Sequence, residues 1–181
     1  MYTAQTHIDS PLGRVLLART AQGLAGLWFT EGQRDFPGVL NADSRPDDAL
    51  FHQVNAELTR YWNALPGQPL DFKVPLDLIG TAFQQAVWRE LLNIPHGGIC
   101  SYGDIALRLG SAQASRAVGM AVGRNPISII VPCHRVLGRD TRLTGYSGGL
   151  HRKIALLAQE GHVVHGQRLH RPSSPHQASL L

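Results

Sequence analysis

The sequence holds two cysteines, Cys100 and Cys133, and the second is embedded in Ile129-Ile130-Val131-Pro132-Cys133-His134-Arg135-Val136. Three β-branched apolar residues in a row read as a buried extended segment. Pro132 ends it, because proline has no N–H to give to a strand ladder. A cysteine at that point is displayed on a rigid support. The imidazole of His134 beside it and the guanidinium of Arg135 two residues on both favour thiolate over thiol. A free cysteine titrates at about 8.5, so nucleophilic work at neutral pH needs such help. The alternative is a buried Cys133 acting as a small hydrophobe, with His134 and Arg135 on the surface.

The flanking elements must position this segment. Thr81 and Gln84 form a capping box. The helix behind it carries Phe83, Val87, Trp88 and Leu91 as its buried stripe and stops at Pro95-His96-Gly97-Gly98. Ser101 with Asp104 is a second capping pair; Ile105, Ala106 and Leu109 form the apolar face, and Gly110 suits the position after a helix end. Ser111 is placed to cap a further helix running to about Val122, with Gly123 after it. Two short helices across a tight Gly-Ser turn read as helix-turn-helix, or as a plain αα-hairpin. The second helix is built from Ala112, Ala114, Ser115, Ala117, Gly119 and Ala121, with Arg116 its one long charged side chain. Such a helix fills a core poorly, but it lets a backbone approach a groove closely. Asn125-Pro126 breaks it. A last helix spans about Leu150 to Glu160, with Leu150, Ile154 and Leu157 inward and Gly161 as stop; the residues alone make Glu160 a solvated helix-end carboxylate.

Upstream, turn signals at Ser10-Pro11-Leu12-Gly13 and Ala21-Gln22-Gly23 separate strand-like runs, giving a β-meander. Residues 31–46 read as a loop, Asp47 or Asp48 as the N-cap of a helix burying Leu50, Phe51, Val54, Leu58, Tyr61 and Trp62, and Asp71-Phe72-Lys73-Val74 as a short strand. No chemistry is legible in this half, where His7 and His52 stand alone. The 181 residues make one large domain or two small ones. No apolar run reaches ~18 residues, so no membrane-spanning helix is expected, and no secretory signal is visible at the start. Two cysteines are too few for a disulfide framework and suit a reducing cytoplasm. Residues 1–80 carry six Lys/Arg against nine Asp/Glu, whereas residues 81–181 carry eleven against four, ten of them arginine. A basic half on an acidic one suits a polyanion-binding domain, or is ordinary solvated arginine.

Pro132-Cys133-His134-Arg135-Val136 resembles the active-site signature of the O6-alkylguanine-DNA alkyltransferases, the methylated-DNA–protein-cysteine methyltransferase family. Phe83 to Trp88, Ser101-Tyr102-Gly103, Ala114 to Gly119, Asn125-Pro126 and Gly145-Tyr146-Ser147-Gly148-Gly149 are similar to further family blocks, in family order. Ordered blocks are far more specific than one short motif. The clear resemblance spans about residues 80 to 161.

The resemblance implies a fold: an α/β N-terminal domain, a small antiparallel sheet plus helix, over residues 1–78, and a mostly α, winged-helix-like domain with helix-turn-helix over 79–163. It implies direct-reversal DNA repair, in which the alkyl group of O6-alkylguanine moves irreversibly to Cys133 after the nucleotide is flipped out through minor-groove binding. Flipping is required because a stacked base cannot be reached by a buried nucleophile. His134 is then the base, Glu160 its orienter, and Tyr102 the group that rotates the nucleotide and hydrogen-bonds the leaving guanine; a purely packing role for Tyr102 stays open. Arg116 fills the vacated stack, and Ala114, Ser115, Ala117 and Gly119 present the close backbone. Asn125, Val136, Tyr146, Ser147 and Gly148 shape the pocket, and Arg135 braces the site or meets phosphate. No cofactor and no metal are expected; some relatives hold an N-terminal zinc, but this half has no cysteine. The expected partner is double-stranded DNA carrying O6-alkylguanine, with no membrane, a monomeric protein and a cytoplasmic location.

The chain departs from the family's pattern at Gly98-Ile99-Cys100, at Ser128 where some relatives have proline, and in residues 164–181, whose prolines, serines and histidines (His165, His170, His176) read as a flexible tail, metal binding by the three histidines being the lesser alternative. Three rivals remain: a non-catalytic binder of alkylated bases, against which Cys133 itself argues; a cysteine hydrolase using Cys133 and His134; and a helix-turn-helix transcription factor, which the Ala/Gly-rich helix poorly suits.

Overall fold

The computed structural model describes residues 1–170. Strands β1 (Ala4–Ile8), β2 (Val15–Arg19) and β3 (Leu24–Phe29) form the expected antiparallel meander. The sheet is nonetheless mixed, because β4 (Asp43–Ser44), inside the segment expected to be loop, pairs parallel to β1. The rest of that segment has a packing task that its polar composition hides: Phe36 and Leu40 join Tyr2 in covering Leu16, Ala18 and Trp28 on the outer face of the sheet. Helix α1 (Ala49–Asn63) starts at Asp48, whose carboxylate accepts from the Leu50 N–H at 2.9 Å, and packs Leu50, Phe51, Val54, Leu58 and Tyr61 on the inner face. Residues 71–74 form no strand. Hydrogen bonds to the β3 edge come slightly later, between Leu24 and Pro75 and between Asp77 and Leu24.

Helix α2 (Ala82–Leu92) has the Thr81–Gln84 capping box and buries Val87, Trp88 and Leu91, but Phe83 lies 41% exposed at its first turn. The Trp88 indole N–H donates to the Ala121 carbonyl at 2.9 Å. A short strand β5 (Cys100–Ser101) leads into α3 (Tyr102–Arg108), capped by Ser101 and Asp104. Gly110, at φ +75°, closes α3: its N–H bonds to Leu107 O, and that of Ser111 to Ala106 O. Ser111 makes no side-chain cap. Instead a 3₁₀ turn at Ala112–Ala114 precedes α4 (Ser115–Gly123). Next come β6 (Val136–Leu137), parallel to β5, and α5 (Leu150–Gln159). Helix α5 buries Arg152, Lys153, Leu156 and Leu157, leaving Leu150 and Ile154 half-buried against a small cluster of Leu137, Leu143, Leu157 and Leu169. Leu169 belongs to an antiparallel hairpin, β7 (Val163–His165) and β8 (Arg168–His170), so the expected tail is structured as far as His170; His176 lies outside the described residues.

One core runs through both halves, from Val15, Leu27 and Phe29 through Tyr61, Trp88 and Val118 to Ile127, Cys133 and Leu156. The chain after α4 hangs on the β3 edge, with Leu27 N–H on Pro126 O at 2.8 Å and Ser128 N–H on Leu27 O at 2.9 Å. Arg152 pins the halves from the other side: its guanidinium lies 4.3 Å over Phe29 and donates to the Leu12, Glu31 and Gly148 carbonyls. At the end of α5, Gln159 Nε2 donates to Tyr61 O and Ala64 O, and Gly67 N–H to Gln159 O. Gly67 and Gly161 meet there, both at positive φ, and a Cβ on Gly161 would stand 2.9 Å from Gly67 Cα. Gly161→Ala therefore adds backbone strain and a backbone clash at the seam, and should cost about 1–3 kcal/mol in urea unfolding.

Candidate active site

Cys133 is only 5% exposed, and its segment is buried as expected but not extended. The chain turns instead. Ile130 N–H bonds to Ser128 O, Val131 N–H to Ile127 O, and Cys133 N–H to Val131 O, with Ile129 at φ +71°. That conformation is rare for a β-branched residue and persists only where the surroundings over-determine it. Asn125 supplies the constraint. Its Oδ1 accepts from Ile127 N–H at 3.0 Å, while Nδ2 donates to Val131 O at 2.8 Å, Ile127 O at 3.3 Å and Cys133 Sγ at 3.0 Å. Cys133, His134 and Arg135 then form one 3₁₀ turn.

His134 and Arg135 point inward from that turn, not to the surface, because both bind Glu160. This carboxylate is 3% exposed, in contrast to the solvated group expected from the residues. It accepts five hydrogen bonds: from His134 Nε2 (2.8 Å), Arg135 Nε (2.8 Å), Arg135 Nη2 (2.8 Å), Gly97 N–H (3.1 Å) and the Tyr61 hydroxyl (3.2 Å). Arg135 Nη1 also donates to Ile94 O at 2.6 Å. Burial alone would raise the Glu160 pKa, but the His134 and Arg135 contacts outweigh it and hold the carboxyl well below its usual range. Glu160 is thus an ionised acceptor, and the His134 hydrogen must sit on Nε2. The basic lone pair is on Nδ1, which is buried without a hydrogen-bond partner in the protein. Burial lowers the His134 pKa, against the pull of Glu160, so the ring is neutral.

Burial also pushes the Cys133 thiol up, and the Asn125 hydrogen bond, the Lys153 ammonium and the Tyr146 hydroxyl pull it back. Lys153, fully buried, donates to Val136 O at 2.6 Å and is drawn down to about 8 by desolvation, against the opposing effect of Cys133. Tyr146 is buried as well, and burial raises its pKa well above normal. The Tyr102 hydroxyl bonds to Thr144 Oγ1 at 3.0 Å, and Ser147 Oγ bonds to Asp35 Oδ1. Tyr102 and Ser147 line a cleft of about 1250 Å³ together with Gly103, Ser115, Arg116 and Gly119. Arg34, Arg124 and Arg139 add charge to its walls. Arg116 and Ala117 are exposed on α4, beside Met120 at 57%; Ala114 and Ser115 are half-buried, and Gly119 faces the Tyr102 ring.

Residues 4–78 match the ribonuclease-like domain of 6-O-methylguanine DNA methyltransferase, and residues 82–162 match its DNA binding domain. The chain belongs to the 6-O-methylguanine DNA methyltransferase family. It is 47% identical to the methylated-DNA–protein-cysteine methyltransferase of Mycobacterium tuberculosis over 84% of this chain and 89% of that one. The Mycobacterium leprae protein of the same name is 44% identical over 87% and 92%. The crystal structure of Mycobacterium tuberculosis OGT in complex with DNA superposes with a TM-score of 0.77 at 44% identity, covering 87% of this chain and 92% of that chain. The Pyrococcus kodakaraensis O6-methylguanine-DNA methyltransferase is more distant, at 0.57 and 27% identity, over 89% and 99%.

Within this methyltransferase fold, Asn125–Cys133 and His134–Glu160 are two separate hydrogen-bonded pairs joined by the Cys133–His134 peptide, and Tyr102, Tyr146 and Lys153 are electrostatic neighbours of the thiol. The Val136 carbonyl already serves Lys153, and Gly148 O serves Arg152. Tyr61 and Gly97 are read from the sequence only as a core position and a helix stop, and Asp35 not at all; Lys153 is the one with a signal for a site role, as a basic residue inside the inward stripe of the last helix. Cys100 and Cys133 are both free thiols, and among the described residues no helix is long and apolar enough to cross a membrane.

Because the Glu160 pKa is depressed on folding, its stabilisation is complete above its ordinary value near 4.5 and is lost as pH falls below it. Glu160→Gln should cost about 3–5 kcal/mol at neutral pH by stranding Arg135, and should flatten the acid limb of the stability curve measured by urea unfolding.

Proposed function

We propose that this chain repairs O6-alkylguanine in double-stranded DNA by taking the alkyl group onto Cys133, once per molecule. The observation that carries this is the Cys133–Asn125 and His134–Glu160 pairs, with Tyr102 both an electrostatic neighbour of the Cys133 thiol and a wall residue of the arginine-lined cleft. The methylated-DNA–protein-cysteine methyltransferase activity of relatives 44–47% identical over most of the chain supports it. In the proposed reaction His134 Nδ1 takes the thiol proton, through a water as in the family. The Cys133 sulfur attacks the carbon on O6 as the O6–carbon bond breaks. The proton is returned to the departing guanine, with the hydroxyl of Tyr102, a cleft-lining residue, as the hydrogen-bonding group. The products are S-alkylcysteine and guanine. No cofactor enters this balance, and a thioether has no leaving path here, so the protein is consumed.

Helix α4 with the 3₁₀ turn before it is the proposed minor-groove element, the small residues Ala114 of that turn and Ser115, Ala117 and Gly119 of α4 allowing close approach and Arg116 filling the vacated stack. A planar, permanently charged guanidinium suits stacking and pairing with the orphaned base. Asn125 aligns the thiol; Val136, Tyr146, Ser147 and Gly148 enclose the flipped base. Arg135 acts as a brace through Glu160. The protein works as a monomer in the cytoplasm on this proposal.

Mixing the protein with a duplex holding one O6-methylguanine and weighing it intact should give a single methyl gain, mapped to Cys133 and saturating at one per chain. Binding without a mass change would replace the proposal with lesion recognition alone. Lys153 is charged below about 8 and neutral above, so its support for the thiolate is present at neutral pH and lost in alkali. Lys153→Met should therefore slow transfer about tenfold at about pH 7 and much less at about pH 9.5, in single-turnover assays.

A further inference from the structure

The Tyr61 hydroxyl bonds to Glu160 Oε1, the oxygen that also accepts from His134 Nε2 and Arg135 Nη2. Tyr61 is on α1, in the half of the chain where no chemistry was legible, and is 1% exposed. Its ring is clamped by Trp62, Phe72 and His96 at centroid distances of 4.9, 5.6 and 6.0 Å. Its backbone carbonyl accepts from Gln159, the residue before Glu160, so both ends of Tyr61 hold the end of α5. A phenylalanine would fill the same space with the same ring contacts. The hydroxyl adds only its bond to Glu160, and a buried hydroxyl is costly unless bonded. Burial and the neighbouring carboxylate raise the Tyr61 pKa, so the group stays a donor throughout the working range of pH.

We infer that Tyr61 is a positioning residue for alkyl transfer, by which the N-terminal domain fixes Glu160 and, through it, the protonation of His134. The inference rests on His134 being the base. The groups acting on His134 are Glu160 at the end of α5, Lys153 on α5 and Arg135 in its own turn, and behind Glu160 Tyr61 from α1 and His96 from the turn after α2. Glu160 favours the imidazolium, while burial, Arg135 and Lys153 oppose it. Tyr61 takes part of the negative charge of Oε1. Without it that oxygen binds the His134 hydrogen more tightly and favours the imidazolium, which cannot act as a base.

The test is Tyr61→Phe in the full chain, with single-turnover transfer from an O6-methylguanine duplex measured across pH. The expected result is an acid limb moved up by about half a unit or more, and a rate near neutrality lowered about threefold to tenfold. One alkyl group per folded molecule and unchanged duplex affinity should accompany it. Titration of the His134 ring nitrogens by NMR in unreacted protein reads the same shift without turnover. A rate profile and a titration that both superpose on those of the parent would overturn the inference. His134→Gln separates the two levels: an acid limb that survives it removes His134 as the base, whereas a limb lost in His134→Gln but unmoved in Tyr61→Phe removes Tyr61 alone.

Discussion

The buried carboxylate of Glu160 is the constraint on which the rest of the structure depends. An ionised group so deep is tolerable only when every lone pair is occupied. Satisfying it gathers the turn before β5, the 3₁₀ turn of Cys133, and α1 of the other domain onto one point. Removing any one donor leaves the charge under-satisfied, so the network ties the integrity of the fold to the protonation of His134. Domain docking and proton placement become one problem with one solution.

A second constraint acts from the opposite side. Asn125 and the β3 edge hold the Ile127–Cys133 segment in a turn that Ile129 would not choose alone. The helix that faces the cleft is joined to this segment through Asn125 without an intervening loop. The same Asn125 side chain bonds to the Cys133 sulfur, so the end of α4 and the thiol share one contact.

The local elements were largely legible in the sequence because local rules decide them. Capping boxes at Thr81 and Ser101, the Gly110 stop and the apolar stripe of α1 depend on neighbours within four residues. Errors arose where distant partners decide. Glu160 looked solvated because its five donors come from three separate stretches of chain, at residues 134–135, at Gly97 and at Tyr61. Ile129 to Val131 looked extended because β-branched residues favour strands, yet Asn125 and Leu27 override the preference. Phe83 fits the periodicity of its helix but sits at the first turn, beyond the reach of the core. Residues 43–44 carry no strand signal at all; they pair because β1 offers a free edge.

The depth of Cys133 has a consequence for how the protein waits. A thiol that is 5% exposed and held neutral by burial is a poor target for soluble electrophiles and oxidants, which attack thiolates. A protein with a single shot keeps it by being chemically dull until a base is delivered into the pocket.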